Sequence, residues 1–422
     1  MGVYVLKRTY TYRLIRLFLL LAVAAGFMTC SQIDPFTPFE AQLSGTNPID
    51  RNTLRGLEGV YAFSDGNSGL GTSFVCKTSK NKVSFFSNER GIFFILKAGL
   101  DPTDSTIHLA GFWRVSENKS NGAISLVIPK VHARKLLKQQ PVTGLIMAGG
   151  FTSSEGKQSL GLQYARDFSA NAKSKPLEIF GHHGIQTNSN PPFAENSYEA
   201  FRQAQDYGAT SLEVDVRLTK DNVPVLYHDP DLNIRVIQKA GIYGDLNQVT
   251  FQALSNFVRL IDGQPIPSLD SALTVAIDET ELAQVWIDVK GDPDVFKYME
   301  PIMRKAIARA KTKGRNIEFI TDLPSDAVID EYKKQPSYAD LPIMCELDLN
   351  TTISLKAKYW GPRWTQGTLN DDVARAHSLG MKAYTWTLNA EGFIYTFMRD
   401  GNFDGLITDY PAYPVYLHYI QP

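Results

Sequence analysis

The sequence predicts two folds in series: a small all-β sandwich or barrel, then an α/β domain of the (β/α)8 TIM-barrel type. Three observations predict this order. Residues 57–164 pass through eight short β-prone segments separated by clusters of Gly, Asn, Asp and Ser. From Leu177 onward, strand-like runs alternate with amphipathic helical stretches, the pattern of parallel strands packed inside a layer of helices. Between the two lies Ser169-Ala170-Asn171-Ala172-Lys173-Ser174-Lys175-Pro176, small and polar and closed by a proline, which reads as a linker. A chain of 422 residues with 43% hydrophobic content is too long for one small core, so a division into 31–168, 169–176 and 177–422 is expected after an N-terminal segment.

The β-prone segments are Gly59–Phe63, Ser73–Lys77, Val83–Ser87, Ile92–Lys97, Ile107–Arg114, Ala123–Ile128, Leu145–Phe151 and Leu160–Tyr164. Only a short basic patch, His132–Lys138, interrupts them. In the second half, a first helix opens with Asn196 and Glu199 at capping-box spacing, carries Tyr198, Phe201 and Ala204 on one face, and stops at Gly208. A second, Asp294–Lys313, has Phe296, Met299, Met303, Ile307 and Ala310 as its buried stripe and Gly314 as its stop. Strands are expected at Leu177–Gly181, Ser211–Leu218, Val285–Val289, Ile317–Thr321, Ile343–Leu347, near Lys358, at Ala383–Leu388 and at Gly405–Thr408. Eight such units in about 245 residues match a TIM barrel. A doubly wound sheet would call for a Gly-rich loop after its first strand, and the chain has none.

The first 30 residues read as a targeting segment, with Lys7, Arg8, Arg13 and Arg16 ahead of a short apolar run, Leu17–Met28. Its end, Gly26-Phe27-Met28-Thr29-Cys30, resembles a bacterial lipoprotein signal, although Thr29 stands where a smaller residue is usual. The expectation is an exported protein, periplasmic or at the cell surface, tethered to a membrane through lipidated Cys30. Cys76 and Cys345 fall in separate apolar runs and read as small buried hydrophobes. A net charge of −1, with no basic run carrying interleaved aromatics, excludes nucleic acid as an expected partner.

The chemistry concentrates between residues 181 and 229, with one further strand near 288. Side chains alternate along a strand, so Glu213 and Asp215 share one side of theirs, Asp288 and Lys290 share one side of theirs, and His182 and Gly184 follow the same rule. On the inner side of a barrel mouth, three carboxylates converge, and their repulsion calls for a cation. Oxygen-only ligation points to Ca2+ or Mg2+. His182 and His228 follow different strands and can flank a phosphorus centre, one taking a proton and the other giving one. Lys290 either holds a phosphoryl oxygen or simply pairs with an aspartate. His108, His132, His377 and His418 read as structural.

These residues resemble the fingerprint of the glycerophosphodiester phosphodiesterase family. It is carried by His182-His183-Gly184, Glu195-Asn196-Ser197, Gly208-Ala209, Glu213-Val214-Asp215-Val216, Thr219-Lys220-Asp221-Asn222 and His228-Asp229. Downstream come Ile287-Asp288-Val289-Lys290, Thr385-Trp386-Thr387-Leu388-Asn389 and Asp404-Gly405-Leu406-Ile407-Thr408-Asp409-Tyr410-Pro411. The resemblance implies a metal-dependent hydrolase of small-molecule glycerophosphodiesters that releases an alcohol and glycerol 3-phosphate. It implies His182 and His228 as catalytic, Glu213, Asp215 and Asp288 as metal ligands, and His183, Glu195, Lys290 and Trp386 as substrate-facing, with Glu195 at the rim and Trp386 as an apolar wall. Three positions depart from the fingerprint: His183 replaces an arginine, Asp288 a longer glutamate, and Asn222 a turn glycine. A phospholipase C-like or D-like lipid phosphodiesterase on the same barrel, or a catalytically weak phospho-ligand-binding lipoprotein, are the alternative readings. The ligand of the β domain is open: a glycan, a lipid, a partner, or none for a mere spacer.

Overall fold

The computed structural model describes residues 39, 43–66, 68–116, 120–185, 193–239 and 241–422. The expected targeting segment, with Cys30, lies outside the described residues. All eight expected β segments form strands: β1 Gly59–Gly66, β2 Ser73–Ser79, β3 Lys82–Ser87, β4 Ile92–Leu100, β5 Ile107–Val115, β6 Asn121–Ile128, β7 Ile146–Ser153 and β8 Gly156–Arg166. Each pairs antiparallel with the next, and β8 closes on β1, so the sandwich-or-barrel alternative resolves to an up-and-down barrel. Closure removes the unpaired edges that a short open sheet would expose. Phe74, Cys76, Phe85 and Phe94 fill the interior, together with Leu54 and Leu136 from two short helices, Arg51–Arg55 and Lys130–Leu137. The second of these helices is the basic patch.

Strand β6 alternates between buried and exposed positions, as a half-solvated strand should, whereas β3 and the first half of β4 are buried on both faces. The cause is sequence order within the strands. Phe85 and Phe94 point into the small barrel, while their neighbours Phe86 and Phe93 point outward into the core of the second domain.

The linker segment is not featureless: Ala170–Ser174 forms a short helix capped by Ser169, whose Oγ accepts from Ala172 N–H at 3.2 Å. Beyond it come β9 Glu178–Gly181, β10 Ser211–Leu218, β11 Gln284–Val289, β12 Glu318–Leu323, β13 Ile343–Cys345, β14 Tyr359–Trp360, β15 Lys382–Thr385 and β16 Gly405–Thr408. All eight are parallel, and β9 pairs with both β10 and β16, closing a (β/α)8 barrel. Phe180, Trp286, Ile320, Met344, Tyr384 and Ile407 plug its interior. Trp286 is fully buried there, and truncating it to alanine would cost about 3–5 kcal/mol.

Two helix details differ from expectation. The first helix, α1 Tyr198–Gln203, is capped by Ser197, whose Oγ accepts from Ala200 N–H at 3.2 Å; Asn196 instead takes a left-handed turn (φ 54°) and enters the site. A 3-10 turn extends it to Gly208, as the stop signal predicts. The helix α2 Leu269–Glu279 precedes β11. In α3, Val295–Thr312, the buried stripe is Phe296, Met299, Met303, Ala306 and Ala310, and Ile307 is 38% exposed. Steps of four, three and four residues from Met299 reach Ala306 and Ala310, and Ile307 lies about 100° round from Ala306. Five more helices, α4 Asp326–Lys333, α5 Leu349–Ser354, α6 Asn370–Ser378, α7 Glu391–Asp400 and α8 Ala412–Tyr419, complete the outer layer.

The two barrels are packed together. Val60, Val75, Phe86, Phe93, Ile95 and Phe112 of the β domain belong to the same apolar cluster as Ala204, Tyr207 and Val415. Phe93 and Tyr207 meet at 5.3 Å between ring centroids with their planes tilted by 59°. Lys82 pairs with buried Asp206 at 2.6 Å, and Ser73 Oγ and Tyr416 Oη share a hydrogen bond of 2.6 Å. No helix among the described residues is long and apolar enough to cross a membrane.

Candidate active site

Eight parallel strands present their C-terminal ends at one mouth of the barrel, and the charged residues gather there. The register places Asp215 of β10 directly opposite Asp288 of β11, with Glu213 two residues earlier on the same side. Donor oxygens of Glu213, Asp215 and Asp288 lie within 4.8 Å of one another, so the shorter Asp288 still reaches the group. Lys290 Nζ bridges Asp215 Oδ1 at 2.7 Å and Asp288 Oδ2 at 2.5 Å, which realises the aspartate-pair alternative for this lysine. Asn196 locks the cluster from the other side: its Nδ2 donates to Asp215 Oδ2 at 2.7 Å and its Oδ1 accepts from Asp215 N–H at 3.0 Å.

The three carboxylates sit in unequal fields. Burial, then Asp215 and Asp288, push the Glu213 carboxyl well above its ordinary range. Burial acts the same way on Asp215, but His183 and Lys290 outweigh it and hold that carboxyl low. Asp288 is raised, chiefly by burial, despite its lysine. Its Oδ1 is buried without a hydrogen-bond partner among the described residues. Converging buried oxygens, one of them unpartnered, fit a divalent cation.

The alternation rule fails at the first strand's end, for a local reason. His182–Gly184 forms a single 3-10 turn in which His183 (φ 49°) and Gly184 (φ 78°) are left-handed. A Cβ at Gly184 would stand 2.8 Å from Ala200 Cβ, so glycine is required both by conformation and by space. The turn puts both rings at the mouth: His182 and His183 stack at 3.8 Å between centroids, and His183 and His228 at 4.6 Å. His182 Nδ1 contacts Asp409 Oδ1 at 2.7 Å, and Asp409 in turn accepts from Asn389 Nδ2 at 2.7 Å. His228 Nδ1 contacts Asp229 Oδ1 at 2.8 Å, and Asp229 Oδ2 accepts from Asn233 Nδ2 at 2.8 Å. Each carboxylate selects the tautomer with hydrogen on Nδ1 and leaves Nε2 for chemistry. His183 is different: it is buried, burial pushes its pKa well down, and its backbone N–H donates to Glu213 Oε2 at 2.7 Å.

A cavity of about 600 Å3 opens above these groups, lined in part by His182, His228, Lys290, Glu346, Arg363 and Trp386. Trp386 is fixed by its indole N–H to Gly361 O at 2.8 Å, and the Arg363 guanidinium lies over its ring at 4.4 Å. Glu195 does not stand at an open rim. It is 5% exposed and takes a bidentate grip from Arg235 at 2.6 and 2.8 Å, and Arg235 also reaches Asp229 Oδ2 at 3.0 Å. Glu195 thus faces His228 through two intermediaries. Deeper in the barrel, Asp322 accepts the Trp286 indole N–H at 3.0 Å, and burial pushes its carboxyl up to about 7. The neighbouring Glu346 carboxyl is also raised, by burial and then by Asp322.

Sequence reasoning therefore missed Asn196, Asp229, Arg235, Arg363, Asn389 and Asp409 as parts of the site, together with the Asp322–Glu346 pair. Asn196, Asp229, Asn389 and Asp409 all stand inside the quoted motifs, Asn196 just before a helix and the others after a strand or beside a histidine, and that position was the available signal. Arg235 and Arg363 carry none.

Comparison with known proteins finds relatives of the second half of the chain. A glycerophosphodiester phosphodiesterase of Caldanaerobacter subterraneus is 25% identical over 240 residues, covering 55% of this chain and 94% of its own length. One of Bacillus altitudinis is 24% identical over 243 residues, covering 56% and 95%. Among solved structures, an Oleispira antarctica phosphodiesterase in complex with the product sn-glycerol-3-phosphate is 16% identical, with a TM-score of 0.44, covering 58% of this chain and 97% of its own. The family model of the glycerophosphoryl diester phosphodiesterases matches residues 182–413, more than half of the chain and a span that includes the residues of the mouth. The chain belongs to the glycerophosphoryl diester phosphodiesterase family.

Proposed function

We propose that this family member hydrolyses small glycerophosphodiesters to an alcohol and glycerol 3-phosphate by acid–base catalysis between His182 and His228. The observation that carries the reading is the pair of imidazoles on one cavity, each with Nδ1 on its own carboxylate and Nε2 left to exchange a proton. One takes the proton of the attacking oxygen and the other returns a proton to the leaving alkoxide: attack by water gives glycerol 3-phosphate directly, whereas attack by the neighbouring glycerol hydroxyl gives a cyclic phosphate that water then opens. A divalent cation on Glu213, Asp215 and Asp288 would supply Lewis-acid polarisation of a phosphoryl oxygen. Lys290 offsets the charge of Asp215 and Asp288, and its ammonium borders the cavity beside them. Arg363, whose guanidinium lies over Trp386 and makes no ion pair among the described residues, is a second cation of the cavity able to meet a phosphate, and Trp386 is the flat apolar surface beneath it. Export and a lipid anchor at Cys30 would place this chemistry at a membrane.

The deciding experiment is release of glycerol 3-phosphate from glycerophosphocholine and glycerophosphoethanolamine by purified protein, with added divalent cations or with EDTA, beside His182→Ala. Cation-dependent turnover that the substitution lowers by about 100-fold or more supports the reading. Unchanged turnover in His182→Ala refutes it.

A further inference from the structure

Ca2+ and Mg2+ suit an oxygen-only donor set, and the structure sets an imidazole beside two members of that set, Glu213 in one group and Asp215 in another. His183 Nδ1 is buried without a hydrogen-bond partner among the described residues, and its Nε2 stands 3.7 Å from Asp215 Oδ2, beyond hydrogen-bonding distance. His182 and His228 each have a carboxylate on Nδ1; His183 has none. A buried polar atom of this kind is normally satisfied by a partner, and a bound cation is one that an imidazole nitrogen can take.

The neighbourhood identifies that ligand. Ligand atoms of His183 fall within 4.8 Å of those of Glu213 and His182, and again of those of Asp215 and His228. Glu213 and Asp215 are the same carboxylates that converge with Asp288. The three imidazoles form no such group of their own among the described residues; they stack with 37° and 39° between ring planes. The left-handed turn at His183, held by its N–H on Glu213 and its C=O on Asn196 N–H at 2.8 Å, swings the ring against Asp215.

We propose that His183 is a direct ligand of the cation held by Glu213, Asp215 and Asp288, and that the site takes a first-row transition ion such as Mn2+ or Zn2+ in preference to Ca2+. Imidazole nitrogen is a poor donor for the hard Ca2+ ion and a good one for these ions, so one His among three carboxylates shifts the selectivity. The inference rests on the metal role proposed for the three carboxylates.

The test reads the metal rather than the turnover. The full chain is stripped, loaded with Mn2+, and examined by pulsed electron paramagnetic resonance for directly bound 14N, with Ca2+ as competitor. The expected result is nitrogen coupling in the wild type and in His182→Gln, its loss in His183→Gln, and a fall of about tenfold or more in the preference for Mn2+ over Ca2+ in the latter. His183→Ala given 15N-imidazole should regain coupling, now from 15N, which covers the case that the glutamine variant misfolds. Mn2+ bound without nitrogen coupling, or coupling that survives in His183→Gln, overturns this inference alone. A wild type that binds no divalent ion overturns it together with the metal role on which it rests.

Discussion

His182 Nδ1 and Asp409 Oδ1 stand 2.7 Å apart, tying the turn after the first barrel strand to the residue that follows the last. Both partners are positioned only once the ring of strands has closed. Asp409→Asn keeps the size of the side chain but reverses the preference for hydrogen on Nδ1. Its kcat is expected to fall about 10- to 100-fold with little change in KM, measured by steady-state kinetics. An unchanged kcat would separate Asp409 from the chemistry.

The chain Glu195, Arg235, Asp229, His228 makes a second relay. Arg235→Met leaves the carboxylate of Glu195, whose side chain is 4% exposed, buried and unpaired. Breaking a buried pair costs about 3–5 kcal/mol, and the partial exposure of Arg235 reduces this to about 2 kcal/mol. Denaturant titration should show that loss. The Glu195→Gln, Arg235→Met double variant should lose less than the sum of the two single variants.

The Arg363 guanidinium lies on Trp386 and makes no ion pair among the described residues. Arg363→Gln is expected to raise KM about tenfold while kcat changes by less than about threefold, because a cation that meets the phosphate in both ground and transition states gives uniform binding. Equal KM in the variant and the wild type would place the phosphate elsewhere.

Asp322 gives the metal-free protein a pH signature. Its carboxyl is raised from an ordinary value of 3.8 to about 7. Between those two values the folded chain holds a proton that the unfolded chain has released, so stability is full below the window and declines as pH rises through it. Asp322→Asn has no such carboxyl. Its melting temperature relative to the wild type should therefore rise by a few degrees between about pH 4.5 and pH 8. A constant difference across that range would contradict the assigned direction.

The strands of both domains were legible because their signals are local: turn residues at each end, and apolar runs of the right length in between. Glu213, Asp215 and Asp288 were legible as one cluster because side-chain parity holds along a regular strand. His183 was not, because parity ends where the backbone turns left-handed, and nothing in His-His-Gly announces which residue makes the turn. Asn196 was read as the start of a helix because its type suits a cap, yet Ser197 next to it suits one equally well, and the demand of Asp215 for partners decided between them. Asp409 and Arg235 were beyond reach for another reason: each meets its partner only through tertiary closure, across 227 and 40 residues of chain. Ile307 shows the limit of periodicity, since one residue of phase error moves a side chain from core to solvent.

The shared core between the two barrels has a consequence for how the chain assembles. Synthesis runs from the N-terminus, so the β barrel is complete before its apolar outer face has anything to rest on: Phe93 waits for Tyr207, and Ser73 waits for Tyr416. The earliest and the latest parts of the outer helical layer then dock on one preformed surface. A ring whose two ends are gathered on the same scaffold has less conformational space to search before it closes. Removing the β barrel should therefore reduce the yield of folded protein more than the turnover of the molecules that do fold.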